Sequence, residues 1–416
     1  NTLMDIKNHL LNLQPSSTLA INEKTKELES KGSKVYKFGF GQSPFPIPSD
    51  IVEELAYNAS KKEYLPSKGL LELRIAIAKN LKGKKYSFDQ NDIIIGPGTK
   101  ELMFLLQIAF DGEIILPIPS WVSYFPQAII NKNKVHFLET NFEDKWHLTE
   151  NKLKEISDKI GNKKKLIIMN YPNNPSGTNP KKIEELSNWL KKNNFIVLAD
   201  EIYSDLNFHD NYSSISHFYP EGTIVSNGLS KWCGAGGWRL GFFAIPNQFK
   251  KLNTTISNLA TETFSAVSAP IQYAAIKAYN SNQDDYLSKS KNILKKIALE
   301  AYKKFNTNKI KVIMPDGGFY IMPDFSELLK NRFKSSVDMC NQLLKDTGVA
   351  VLPGCDFGFP KDKLVFRLSY VDFDGKKFLN SVSKDVNIND EHLRKFAPKI
   401  IEGIDKIIYW SNKMSK

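Results

Sequence analysis

From about residue 90 the chain alternates short apolar runs, rich in β-branched residues, with longer stretches whose apolar positions recur every three or four residues. The runs are 92-DIIIG-96, 113-EIILP-117, 134-KVHFLE-139, 165-KLIIMN-170, 195-FIVLAD-200, 222-GTIVSNG-228 and 240-LGFFAIP-246. Between them lie helix-like segments such as 99-TKELMFLLQIAF-110 and 180-PKKIEELSNWLKK-192. Near-continuous apolar runs mark strands buried on both faces, so the pattern predicts an α/β fold with a mainly parallel seven-stranded sheet covered by helices. In such a sheet the loops that carry chemistry leave the carboxyl ends of the strands.

The pattern changes in the C-terminal third. A long helical region near 285–306 precedes strand-like runs at 318-GFYIMPDF-325, 349-VAVLPG-354 and 364-LVFRLSYV-371, then a final helix near 390–411. This predicts a smaller α+β domain (309–416), joined by the N-terminal segment (1–46), beside a large domain over 47–308. The polar stretch 374-DGKKFLNSVSKDVNINDE-391 reads as a loop or insertion.

Composition narrows the function classes. A net charge of +12 invites a nucleic-acid reading, but the lysines are spread along the whole chain and no arginine-rich, zinc-finger or RNA-binding signature accompanies them. Solvated lysine faces account for the charge. Cys233, Cys340 and Cys355 form no CxxC pair, and the six histidines form no HxH or HExxH motif, so neither a disulfide framework nor a metal site is expected. No apolar run approaches the roughly 20 residues that span a bilayer, and the N-terminus does not read as a signal peptide; a cytoplasmic protein is expected.

The candidate chemistry begins at 228-GLSKWCGAGGWRLG-241. Of 57 basic residues only five are arginines, yet Arg239 lies eight positions after Lys231 in a glycine-rich turn. Desolvation favours a neutral lysine amine, which is a nucleophile for an aldehyde. An arginine fork suits a phosphate. Each feature has an ordinary alternative: a solvated loop lysine and a structural arginine. Further candidates follow the predicted strands. Asp200 ends an apolar run and is either a loop carboxylate or the ion-pair partner of a ring nitrogen, with Tyr203 three residues on. The loop 171-YPNNPSGT-178 contains Asn174, and 96-GPGTKEL-102 runs from strand into helix, where backbone N–H groups favour a phosphate. Trp121 is either core or a plate against a flat ligand. Arg367, inside an apolar run, needs either an internal carboxylate or a substrate's.

In this order the motifs resemble the class I aminotransferases of the aspartate aminotransferase type, pyridoxal-phosphate enzymes of fold type I. The resemblance extends over about residues 15–372. It rests on the attachment-site pattern around Lys231, with NNPSGT, ADEIY and FRLSY. The resemblance implies that Lys231, beside Ser230, carries pyridoxal phosphate and shuttles the proton. It implies that Asp200 pairs with the ring nitrogen, that Asn174 and Tyr203 bind the ring oxygen, and that Trp121 stacks on the ring. Gly98, Thr99 and Arg239 would hold the phosphate, with Tyr64 reaching over from a second subunit of a homodimer. Arg367 and the backbone at Gly41 would take the substrate α-carboxylate.

Substrate choice is read less directly. In one subgroup a lysine in the phosphate loop and an N-terminal Ser-x-Thr read a distal carboxylate; Lys100, Ser16 and Thr18 stand in those places, which fits aspartate and glutamate as donors and a 2-oxo acid such as 2-oxoglutarate as acceptor. An exposed first-turn lysine is the alternative for Lys100, and related enzymes with a similar loop act on aromatic or branched amino acids, or on prephenate, so those substrates remain open. The pattern 234-GAGG-237 departs from the family's more usual Met-Thr-Gly. A β-lyase on the same cofactor contacts is a rival. So is a non-catalytic regulator, although the residues before 15 leave no room for the DNA-binding domain such proteins carry.

Overall fold

The computed structural model describes residues 3–416, with the side chain of Thr18 left aside. All seven expected runs are strands of one sheet: β1 (Ile93–Gly96), β2 (Glu113–Ile118), β3 (Lys134–Glu139), β4 (Lys165–Asn170), β5 (Ile196–Asp200), β6 (Thr223–Gly228) and β7 (Gly241–Ala244). Their spatial order is β1-β7-β6-β5-β4-β2-β3. Strand β7 runs antiparallel to both neighbours. The other pairings are parallel.

Period-two alternation divides the strand residues between two cores. Ile94, Ile114, Leu116, Ile168, Leu198, Ile224 and Phe243 face one side, with Leu102, Met103 and Leu106. Ile93, Ile95, Val225, Phe242 and Ala244 face the other, against Leu73, Ile77 and Ala275. Ile115, Ile167, Met169 and Val197 share that second side, with Leu186 and Leu190. Each such side chain contributes about 1.5–3 kcal/mol on burial, and the sheet is therefore the rigid platform beneath the loops.

The helices that bear on the site are α1 (Ser17–Ser30), α2 (Thr99–Ala109) and α3 (Tyr124–Ile130). Two more, α4 (Asp284–Phe305) and α5 (Pro398–Met414), enclose a third core with Phe319, Ile321, Phe366 and Leu368. Here Tyr36–Lys37 pairs in parallel with Val349–Ala350, tying the N-terminal segment to the C-terminal third. A three-stranded sheet joins Leu352–Pro353, Phe366–Ser369 and Tyr320–Ile321.

The segment 374–391 is not a plain loop. Asp374 accepts a hydrogen bond from the Lys377 N–H at 3.0 Å and caps a helix over Gly375–Ser381, whose Phe378 is fully buried. A cap and two apolar residues suffice to fold a turn that is otherwise polar. Among the described residues no helix is long and apolar enough to cross a membrane.

Candidate active site

The carboxyl ends of the parallel strands converge on a cleft of about 480 Å³. Asp200, the last residue of β5, is 4% exposed. Its Oδ2 accepts from the Tyr124 hydroxyl at 2.5 Å. Burial pushes its pKa up to about 6, against the opposing pull of that bond, the Ile202 N–H and the charge of Lys231. Asn170 ends β4 and braces two neighbours. Its Nδ2 donates to the Asp200 carbonyl at 3.0 Å, and its Oδ1 accepts the Asn174 N–H at 2.7 Å.

Lys231 follows the end of β6 by three residues, and its Nζ donates to the Gly41 carbonyl. Desolvation, then the charges of Arg367 and Arg239, lower its pKa to about 8; Asp200 pulls the other way. The turn that holds it needs one of its glycines for space. At Gly234 (φ +69°) a Cβ would stand 2.6 Å from the Phe45 carbonyl oxygen. A residue with a side chain cannot fit there without displacing that carbonyl.

Gly98 (φ +87°) precedes the first turn of α2, whose first residue, Thr99, lines the cleft. A Cβ on Gly98 would lie 2.3 Å from Arg239 Nη2. Arg239 itself adopts a left-handed backbone (φ +53°), unusual for a residue with a side chain, and its Nη1 donates to the Gly236 carbonyl at 2.8 Å. Helix N-terminus and guanidinium thus border one concave spot suited to a phosphate.

Arg367 is 1% exposed. Its partners are neutral: Nη1 donates to Asn174 Oδ1 at 2.9 Å and Nη2 to the Gly39 carbonyl at 2.8 Å, while Nε has no partner. No internal carboxylate hydrogen-bonds or salt-bridges it among the described residues; the charge of Asp356 acts on it only from farther off. Trp121 is half-buried at the cleft wall, edge-on to Tyr124 with ring centroids 5.3 Å apart. Lys100 Nζ lies 5.2 Å from the Trp121 ring centroid, its pKa lowered by desolvation and then by Arg239. Lys100 is an exposed residue of the first turn of α2 whose amine also lies near the Trp121 ring and lines the cleft.

Of the residues singled out from sequence, the cleft brings together Ser16, Gly41, Thr99, Lys100, Trp121, Asn174, Asp200, Tyr203, Ser230, Lys231, Arg239 and Arg367. Gly98 stands directly behind Arg239. Tyr64 does not line it and is 93% exposed. The side chain of Thr18 lies outside the described residues. Sequence reasoning missed Tyr124, Asn170 and Tyr320. Asn170 carried the same signal as Asp200, a polar residue closing an apolar run. Tyr320, in 317-GGFY-320, hydrogen-bonds the Tyr203 hydroxyl at 2.6 Å.

Known proteins similar to this chain identify its family. The family model for aminotransferase class I and II matches residues 33–374. An aspartate aminotransferase of Bacillus sp. strain YM-2 is 32% identical over 378 residues, covering 88% of this chain and 94% of that protein. A probable aspartate/prephenate aminotransferase of Aquifex aeolicus is 32% identical over 375 residues, covering 86% and 92%. The crystal structure of an aspartate aminotransferase from Thermotoga maritima superposes with a TM-score of 0.80 at 28% identity, covering 98% of this chain and all of the other.

Proposed function

The chain belongs to the class I and II aminotransferases and is a transaminase, and from that premise we propose that it moves the amino group of a dicarboxylic L-amino acid, aspartate or glutamate, to a 2-oxo acid. The observation that carries the substrate reading is that two cations without carboxylate partners, Arg367 and Lys100, line the same cleft as Lys231. A substrate with a carboxylate at each end matches both, whereas a neutral donor leaves Lys100 without a counter-charge.

Pyridoxal phosphate fits the residues present. A buried carboxylate, an amine with a lowered pKa, and a glycine-lined notch beside a guanidinium are the partners needed by a ring nitrogen, an aldehyde and a phosphate. When bound, that cofactor supplies an electron-accepting ring that makes the substrate α-proton acidic. Asp200, ionised above about pH 6, would hold a proton at the ring nitrogen. Asn174 and Tyr203 would orient the ring oxygen, and Thr99, Gly98 and Arg239 would bind the phosphate. Lys231 Nζ, neutral above about pH 8 in the free protein, would carry the aldehyde carbon, and once released take the proton from the substrate α-carbon. Arg367 would fix the α-carboxylate and Trp121 would cover the ring face.

We place the protein in a homodimer in which exposed Tyr64 completes the partner's phosphate site, since its ring has no role in its own cleft. The deciding experiment mixes the pyridoxal-phosphate-loaded protein with single amino acids in the absence of any oxo acid and follows its visible band. Conversion by aspartate and glutamate is expected. Conversion only by phenylalanine or neutral donors would remove the dicarboxylate reading, and release of ammonia from a Cβ-substituted amino acid would favour a lyase.

A further inference from the structure

Tyr320 joins the two halves of the cleft. It lies on the short strand Tyr320–Ile321, directly across from Ser369 on the antiparallel strand Phe366–Ser369. Ser369 and Arg367 share a face of that strand, so Tyr320 is the diagonal cross-strand neighbour of Arg367. The guanidinium carbon of Arg367 lies 4.3 Å from the centroid of the Tyr320 ring. The Tyr320 hydroxyl meets the Tyr203 hydroxyl at 2.6 Å, with both rings almost wholly buried. It also presses on the strip that receives Lys231, since a Cβ on Gly41 would stand 2.9 Å from it.

We propose that Tyr320 is a positioning residue for transamination: its hydroxyl holds the Tyr203 hydroxyl toward the cofactor's ring oxygen, and its ring face seats Arg367. The proposal rests on the assignment of Tyr203 and Arg367 made above.

The direction of the hydrogen bond follows from counting protons. A phenol has one proton to donate. If Tyr203 donates to the ring oxygen, the 2.6 Å contact must be filled by the Tyr320 proton, giving a chain from Tyr320 through Tyr203 to the cofactor. Each donor in such a chain polarises the next and strengthens it. The positive charge of Arg367 over the Tyr320 ring opposes the effect of burial on that phenol and makes it a better donor. Removal of the Tyr320 hydroxyl leaves the Tyr203 ring in place but frees its hydroxyl to rotate and weakens its donation. The stacked face beneath Arg367 survives replacement by phenylalanine and is lost with leucine.

The test is a spectrophotometric pH titration of the visible band of the pyridoxal-phosphate-loaded protein, with steady-state kinetics on the same variants. A donor at the ring oxygen stabilises the negative charge left there when the shared proton departs, so losing it raises the titration midpoint. Tyr203→Phe should raise it most. Tyr320→Phe should raise it in the same direction by about half a unit and change the KM for the amino donor by less than about twofold. The double variant should not exceed Tyr203→Phe alone, because both act on one chain. Tyr320→Leu should add a rise in KM of about tenfold as the seat of Arg367 is lost. A Tyr320→Phe midpoint equal to that of the wild type, with Tyr203→Phe shifted, overturns the role of Tyr320 alone. If Tyr203→Phe does not move the midpoint, the assignment of Tyr203 falls and takes this proposal with it.

Discussion

The hydroxyl of Tyr124 donates to Oδ2 of Asp200 at 2.5 Å, and both groups are almost fully buried. Burial alone drives the aspartate toward its neutral form; the tyrosine bond is the largest influence that resists it. Ionised Asp200 is the form that pairs with a protonated ring nitrogen. Tyr124→Phe therefore leaves a carboxylate whose pKa climbs above about 6, and cofactor affinity falls with it. A hydrogen bond to a charged group contributes roughly 1.5–3 kcal/mol, so the Kd for pyridoxal phosphate should rise about 10- to 100-fold. Equilibrium binding to the apoprotein checks this, and the loss should be largest on the acid side of neutrality.

The sheet was legible in the sequence because strands buried on both faces are continuous apolar runs, and a polar residue closing such a run stands at the mouth of the cleft. Asp200 was legible for that reason, whereas Asn174 and Lys231 stood out in the proline- and glycine-rich turns that follow such runs. Tyr124 and Tyr320 were not, since a tyrosine near a loop reads equally well as core, and its hydroxyl partner comes from another part of the chain. Asp200 lies 76 residues from Tyr124, and Tyr203 lies 117 from Tyr320. The short helix at Gly375–Ser381 was hidden by its polar neighbours, although Asp374 offered a cap and Phe378 an anchor. Gly234 shows the same limit: its need for space comes from the Phe45 carbonyl, almost 200 positions away in the chain.

The lowered pKa of Lys231 sets a pH dependence for loading the apoprotein with the aldehyde. The attacking amine must be neutral, and its pKa is about 8. Below that value the neutral fraction falls tenfold per pH unit, so the rate of covalent attachment should climb through neutrality and level off above about pH 8. Stopped-flow growth of the visible band measures the rate. A plateau displaced to the ordinary lysine range would show that desolvation does not act on this amine as described. Lys231→Ala should bind the cofactor without forming the band.

Gly98→Ala tests the phosphate notch. The added methyl would sit 2.3 Å from Arg239 Nη2, on a backbone at φ +87° that alanine adopts only with strain. The guanidinium must swing away, and a charge-assisted contact to phosphate is lost. Affinity for pyridoxal phosphate should fall at least about tenfold, whereas affinity for pyridoxal, which lacks the phosphate, should change much less. Equal losses for the two ligands would place the damage elsewhere in the fold.

Glu201 adjoins Asp200 but points into the sheet's far side, where it accepts from the Tyr86 and Ser214 hydroxyls, each at 2.5 Å. Burial raises its pKa from 4.5 to about 7 in spite of those bonds. Below pH 4.5 the proton is bound in both folded and unfolded states. Between that pH and 7 the unfolded chain loses it first, so stability falls as pH rises, by a total on the order of 3 kcal/mol, and no further above 7. Glu201→Gln, which resembles the protonated acid, should flatten this part of the profile. Urea denaturation of both apoproteins across that range gives the comparison; parallel profiles would count against a protonated Glu201.

Replacement of Lys100 tests its proposed role as the reader of a distal carboxylate. Its amine stands 5.2 Å from the Trp121 ring centroid under the repulsive charge of Arg239, which a distal carboxylate would offset and an apolar side chain would not. Replacing it by methionine keeps much of the packing against the Trp121 ring but removes the charge. For aspartate and glutamate kcat/KM should fall about 10- to 100-fold, the cost of losing one ion pair with the substrate. For phenylalanine or alanine it should stay level or rise, because nothing is then left unpaired when they bind. The inhibition constant of a substrate-like dicarboxylate such as succinate should rise in step with the loss on aspartate, since both sense the same contact in the ground state. Uniform loss across all donors would instead assign Lys100 to the phosphate site with Arg239, whose charge acts on it directly.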